Sequence, residues 1–442
     1  MDTLKVRISP LIKDTSKEFA SIFDTQKHGS LERFNTQTLN TRGIANEPVK
    51  LGRNMEFRLN KFDILHFDNI EIVTTSGGAF YKGKIIQENT AGFGTHNFVH
   101  KNYNDFKKLS NRFFIPLNLY ELKQSIKVLL SAIFGSEARR LQDNNPKILY
   151  HSPNWDCFSH FSFEEFPRLL ATLKAFHARN IQIGGGKTSK NKQNANDSTI
   201  DFDKLIIIAP IRNSWQFDQY IYPALLSLTK EHNPHCPYAI RKENIVCVNN
   251  AKIPQKAVIK ANNVFIPTQV KCNKPYLQDA MEFLREFYYD ENFSQGVDRI
   301  YISRQKSAKR FLVNEAEVRA LLEQKYGFKT LFMEEVSFKD KINFLSRASV
   351  LLSIDGTSIM NYGYMRQGSK AISLRPFNMA EYPIEEIFGV EFLPIVCEID
   401  EKTKKDTDHL DGFIGTWWAS NLIVDIAYLE EKLNAYGISP LN

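Results

Sequence analysis

Arg304, Lys306, Lys309 and Arg310 crowd into a short stretch that follows the strand-like run Arg299 to Ser303. Farther along, Asp355-Gly356-Thr357-Ser358 follows a second apolar run, Val350 to Ile354. A loop that leaves the carboxyl end of a buried strand and enters a helix gathers backbone N–H groups and the positive helix end in one place. Guanidinium groups beside such a loop suit phosphate oxygens, because the planar fork binds two at once and keeps its charge. The chemistry expected here is the holding of a nucleotide-linked ligand. The bland alternative is a solvated basic loop, the commoner fate of such runs. Asp355 reads two ways, as a side-chain cap on the helix start or as a ligand contact. Asn361, one turn on, reaches either ligand or backbone.

A second constellation is His160, Glu164 and Glu165, at the head of an apolar helix read over 163–177. His160 and Glu164 are one helical turn apart and share a side, whereas Glu165 points about 100° away. Two ligands are too few for zinc. The bland reading pairs Glu164 with Arg168 at i+4. Asp201-Phe202-Asp203 spells D-x-D, but it precedes a strand, so its carboxylates fall at the wrong strand end for a metal site. Asp406-Thr407-Asp408 sits in a charged loop and is not read as a metal site either. Gly184-Gly185-Gly186-Lys187-Thr188-Ser189 is not a phosphate-binding loop, because the first glycine of that motif falls at Ile181. Residues 184–198 read as a polar loop.

The elements that must position these groups alternate. Strands are read at 147–150, 205–209, 245–248 and 264–266, then at 299–303, 330–333, 350–354 and 371–374. Helices are read at 163–177 and 276–289. Two more start at Asn314 and Ser337, with Glu317 and Asp340 at the capping-box positions. Leu205 to Ala209 is a continuous apolar run of the kind found in parallel strands buried on both faces. Alternation of this kind argues an α/β chain with parallel sheets, and ligands at the carboxyl ends of the strands. Residues 1–50 are weakly patterned, 55–100 read as β-rich, and a helical stretch is read near 119–134.

The bulk numbers narrow the class. A chain of 442 residues is too long for one ordinary domain. A net charge of +7, spread along the chain, favours acidic ligands without demanding nucleic acid. Five widely spaced cysteines, Cys157, Cys236, Cys247, Cys272 and Cys397, contain no C-x-x-C and read as free thiols. No apolar leader and no membrane-length apolar run is present in this sequence, which reads as cytoplasmic.

Three segments, in order, carry a family resemblance. Arg299 to Val318 resembles the R-x-S-R-x-x-x-x-R-x-x-x-N-E segment of glycosyltransferase family 61. Met333 to Asn361 resembles that family's block running from E-x-x-S-F to H-G-A-G-L-x-N. Ser159 to Leu170 is similar to its H-F-x-x-E-x-L-P-R-L. The family's histidine, alanine-glycine and glutamine are Asp355, Thr357-Ser358 and Lys341 here.

The resemblance implies two Rossmann-like lobes of GT-B architecture with an N-terminal β-rich extension. The boundaries expected are an extension over 1–140, an acceptor lobe over 141–290, a donor-nucleotide lobe over 291–395 and a C-terminal helical segment over 396–442. It implies an inverting glycosyltransferase acting on a nucleotide sugar and an acceptor glycan, free or lipid-linked. No metal, no cofactor and no nucleic acid are expected. Arg304, Arg310, Asp355, Gly356, Thr357, Ser358, Asn361 and Glu334 are the expected donor contacts. Glu164 is the expected base, with His160 beside it and Asp156 next in line. Surface polysaccharide synthesis, capsular or lipopolysaccharide, at the inner face of the membrane is the expected setting. The rivals are a non-catalytic carbohydrate- or nucleotide-binding protein of the same fold and a metal-dependent glycan phosphotransferase.

Overall fold

The computed structural model describes residues 64–82, 84–86, 136–152, 157–185, 199–210, 214–248, 258–267, 274–307, 310–376, 388–403 and 420–441. It also describes four two-residue strands nearer the amino terminus. These are β1 (Glu32–Arg33), β2 (Thr38–Leu39), β3 (Val49–Lys50) and β4 (Glu56–Phe57), which pair antiparallel as β1 with β4 and β2 with β3. The helix read near 119–134, most of the loop at 186–198, and Asp156, Lys309 and Asp406 to Asp408 lie outside the described residues. The described part is mixed α/β. The chain divides into two compact units, Met1–Gly29 with Asn60–Ala280 and Ser30–Leu59 with Met281–Asn442.

The first unit holds β5 (Ile64–Phe67), β6 (Ile70–Val73), β7 (Ala79–Tyr81), β8 (Lys84–Ile85), β9 (Lys147–Leu149), β10 (Ile206–Ala209), β11 (Ile245–Cys247), β12 (Val258–Ala261) and β13 (Val264–Pro267). Its main sheet has the order β11-β10-β9-β13-β5, parallel except for β5 at the edge. A second, antiparallel sheet has the order β12-β6-β7-β8. Alternation along the strands divides the core. Leu149, Ile206, Ile208, Val264 and Ile266 share one buried cluster with Ile70, Ile72 and Ala79 of the antiparallel sheet. Phe265 points to the opposite face, where its ring meets Phe176 of helix α2 (Phe166–Gly185) edge-on at 4.9 Å. Phe166, Leu169, Leu170, Leu173 and Phe176 are all buried, as the periodicity predicts. This helix runs through Gly185, into the stretch read as loop. Helix α1 (Ser136–Gln142) precedes β9.

The second unit is built on a sheet parallel throughout, β14 (Arg299–Ile302), β15 (Lys329–Leu331), β16 (Val350–Ile354), β17 (Lys370–Arg375) and β18 (Glu391–Val396). The order is β15-β14-β16-β17-β18. Helix α4 (Glu315–Ala320) connects β14 to β15, and α5 (Phe338–Arg347) connects β15 to β16; α3 (Lys274–Tyr288) leads into the unit. These two crossovers run in opposite directions across the sheet, so right-handedness puts their helices on opposite faces. Val318 and Leu322 pack with Tyr301, Leu352 and Leu374, and with Leu429 and Leu433 of helix α6 (Ile426–Ala435). Beyond β18, the stretch read as helical also holds the antiparallel pair β19 (Glu398–Ile399) and β20 (Leu422–Ile423).

Two cap readings separate here. Ser337 Oγ accepts from Asp340 N at 3.1 Å, so the cap read there is present. Asn314 does not cap with its side chain. Its amide donates to Val424 O at 2.8 Å and accepts from Val424 N at 3.0 Å, tying the helix start to the segment after β20. The cost of the missing cap is offset by satisfying two backbone groups elsewhere.

Candidate functional site

In the second unit the connections from β14 and β16 leave toward opposite faces, which opens a crevice at their carboxyl ends. The sequence-predicted donor residues converge on that edge. Arg304 follows β14. Its Nε donates to Arg310 O at 3.0 Å and its Nη1 to Ser358 Oγ at 2.9 Å. Arg304 therefore stitches the loop after β14 to the loop after β16. Two of its donors are spent on the protein itself, a clamp role that charge counting does not reveal.

Arg310 adopts φ +58°, a left-handed conformation uncommon for a branched-off side chain of this size, and Arg304 holds its carbonyl. Its guanidinium lies against Gly356, where a Cβ would collide with Nη1. Gly356 itself sits at φ +110°, a conformation L side chains rarely adopt. The backbone is what requires glycine here, and the arginine terminus occupies the room that a side chain would take.

Asp355 lies at the end of β16 and is buried. One oxygen accepts from Gly356 N at 2.5 Å and the other faces Arg375 Nε at 2.8 Å. Burial pushes its carboxyl up, and Arg375 opposes that shift. The helix expected after the loop is a short 3-10 helix, Ile359–Tyr364, whose N-cap residue Ser358 makes no side-chain cap bond. Asp355 is thus not a helix cap; it is half of a buried ion pair between the ends of adjacent strands. So short a helix contributes little macrodipole, and the positive field at this edge comes from arginines instead. Asn361 turns back, donating to Ser358 O at 2.7 Å. Thr357 is half-buried in the same loop. Glu334, half-buried in the turn after β15, acts electrostatically on buried Lys341, whose ammonium burial holds down to about 8. Lys306 is more exposed, pairing with Glu335 over the Phe332 ring.

Sequence reasoning missed Arg375. The available signal was a charged residue ending the apolar run 371–374, but its partner emerges only from the strand order.

In the first unit the crevice between β9 and β13 is filled from within. Arg168 is fully buried, donating to Pro267 O at 3.3 Å and Tyr150 O at 3.4 Å, so it bridges the two strand ends. Its counter-charge is Glu165, which also accepts from Ser152 Oγ at 2.6 Å. Burial pushes the Glu165 carboxyl up, and Arg168 opposes it. Neighbouring His151, also buried, is pushed down to about 4 and lies 3.1 Å from Thr74 O. Arg168 therefore pairs with Glu165 at i+3, not with Glu164 at i+4. Glu164 instead meets His160, with Nδ1 to Oε1 at 2.9 Å. A π-helical turn, Phe161–Glu165, lies just before α2 and carries both carboxylates. Glu165 belongs to the core network.

Asp203 precedes β10 and pairs with Lys230 at 2.7 Å and Arg241 at 3.1 Å. Among the described residues no group of three or more His, Cys, Asp or Glu side chains is placed to hold a metal ion. Among the same residues no helix is long and apolar enough to cross a membrane.

The fold and this edge define an α/β protein with an arginine-lined crevice at the strand ends. Residues 158–372 match the model of the family described as Glycosyltransferase 61. Over 76 residues it is 32% identical to protein O-linked-mannose beta-1,4-N-acetylglucosaminyltransferase 2 of Xenopus laevis. That match spans 17% of this chain and 13% of the relative.

Proposed function

We propose that the protein is an inverting glycosyltransferase of two-lobed GT-B type. It moves a sugar from a nucleotide-sugar donor to an acceptor glycan. The observation that carries this reading is the cluster of Arg304, Arg310, Gly356 and Ser358 at the β14/β16 strand ends, inside the segment that matches the family. The donor diphosphate sits there. Glu164, oriented by His160, removes the proton of the acceptor hydroxyl. That oxygen displaces the nucleotide at the anomeric carbon, and the departing phosphate charge falls on Arg310 and Arg304. Fixed cations make a metal unnecessary in this scheme. Asp355 is compatible with a bound diphosphate because Arg375 already balances it. We place the reaction in the cytoplasm or at the inner membrane face, on a precursor of capsule or lipopolysaccharide. The relative's name adds an O-linked mannose as a second acceptor class to test.

The experiment is a thermal-shift screen of nucleoside diphosphates and nucleotide sugars, followed by transfer assays with and without EDTA. One nucleotide class is expected to stabilise the fold by mass action, about 2.7 kcal/mol at a hundredfold excess over Kd. Glu164→Gln is expected to abolish transfer and spare nucleotide binding. No stabilisation by any nucleotide overturns the reading. Binding without transfer or donor hydrolysis favours the non-catalytic protein, and loss of activity in EDTA restored by Mn²⁺ favours the phosphotransferase.

A further inference from the structure

Trp215 is one of the few large apolar side chains left exposed among the described residues, with 49% of its surface open. Its position is specific. It opens the helical segment that follows the carboxyl end of β10, directly after Ser214, whose hydroxyl accepts from Phe217 N at 3.0 Å. That bond fixes the first turn, from which the indole projects. The Trp215 ring meets Tyr220 at 6.5 Å with the planes nearly perpendicular, 81°. Tyr220 is buried and packs edge-on against Phe158 at 5.3 Å and against Phe161 at 5.0 Å. Phe158 shares its helical turn with His160, the partner of Glu164. A continuous aromatic chain thus runs from the exposed indole to the candidate base. Both helical segments carry a π-helical turn here, Phe161–Glu165 and Phe217–Ile221, and such turns recur at functional sites.

From this we infer that Trp215 is a platform on which a pyranose ring of the acceptor stacks, a specificity-determining residue for the acceptor side. The inference rests on the glycosyltransferase reading. The apolar C–H face of a sugar carries slight positive charge and fits the negative face of an aromatic ring. An exposed indole on a capped turn, with Tyr220 at its edge, offers such a face from an ordered backbone.

The test uses full-length protein with a panel of methyl glycosides: α-mannoside, β-glucoside, β-galactoside and β-N-acetylglucosaminide. Binding is read by tryptophan fluorescence and calorimetry, with uridine, guanosine and cytidine diphosphates titrated in parallel by thermal shift. At least one glycoside is expected to perturb the fluorescence of the parent, and the Trp215→Phe variant should lose that optical signal. Trp215→Ala is expected to weaken that glycoside about tenfold by calorimetry, while Trp215→Phe weakens it less than about threefold. Both variants should keep the parental melting temperature and diphosphate response, because the indole is exposed. The inference is overturned if no glycoside binds, or if Trp215→Ala binds it as the parent does, while diphosphate still stabilises the protein. Failure of every diphosphate overturns the glycosyltransferase reading itself, and the inference with it.

Discussion

Two crevices, each at the carboxyl ends of a parallel sheet where the strand order reverses, hold arginines put to opposite uses. Between β9 and β13, Arg168 is fully buried, bonded to both strand ends and balanced by Glu165. Between β14 and β16, Arg304 and Arg310 line the edge, and the Asp355 carboxylate is engaged by Arg375 of the next strand. Where a carboxylate is supplied inside, arginine becomes core. At the second edge Arg304 is bonded instead to a carbonyl and a hydroxyl of the two loops, the arrangement proposed above to receive a ligand. A parallel sheet therefore offers the same opening in both units, and side-chain pairing decides whether it is a site.

The largest effect expected from this contrast is on stability. Arg168→Met should cost about 3–5 kcal/mol in denaturant unfolding, because it strands the buried Glu165 carboxylate. A loss below about 1 kcal/mol on that scale breaks the comparison, since the first crevice is then not held by its ion pair. Next comes ligand affinity. Arg310→Ala should weaken nucleotide binding by about 1.5–3 kcal/mol in calorimetry, as expected for a charged hydrogen bond, with thermal unfolding barely moved. A destabilised apoprotein with parental affinity makes Arg310 core as well, and the two crevices alike.

A third effect, read from pH dependence, concerns Lys341, whose folded pKa is lowered to about 8 from 10.5 by burial, with Glu334 pulling it back up. Between those values the unfolded chain binds the extra proton, so stability rises with pH across that window. Lys341→Gln should therefore be more stable than the parent at pH 7, and the gap should narrow toward pH 10. A gap that does not change with pH means that this ammonium is compensated like Arg168.

Much of this contrast is legible in the sequence, for a physical reason. Val350 to Ile354 is apolar except at Ser353 because a central parallel strand is buried on both faces, and the observed β16 has the same bounds. Ser337 and Asp340 announce a helix start through local backbone bonds alone. What the sequence hides is set by distant partners or by helical phase. Asn314 has the look of a cap until β20 brings Val424 to it. The pairing of Asp355 with Arg375 depends on β16 and β17 being neighbours. Spacing allows Arg168 either Glu164 at i+4 or Glu165 at i+3, and the buried side of the segment that holds the π-helical turn selects Glu165.

That turn also holds slack. A π-helical turn amounts to one residue more than a regular helix needs. Deleting one residue from 161–163 would let the segment wind regularly into α2, with its apolar face still seated on the sheet. The flanks would keep their places, because the residue removed is the one the wide turn absorbs. His160 and Glu164 would then be an i,i+3 pair, a spacing that a regular helix still holds together. The spare residue works as play in the winding: it widens one turn without putting the surface pair and the buried face out of step.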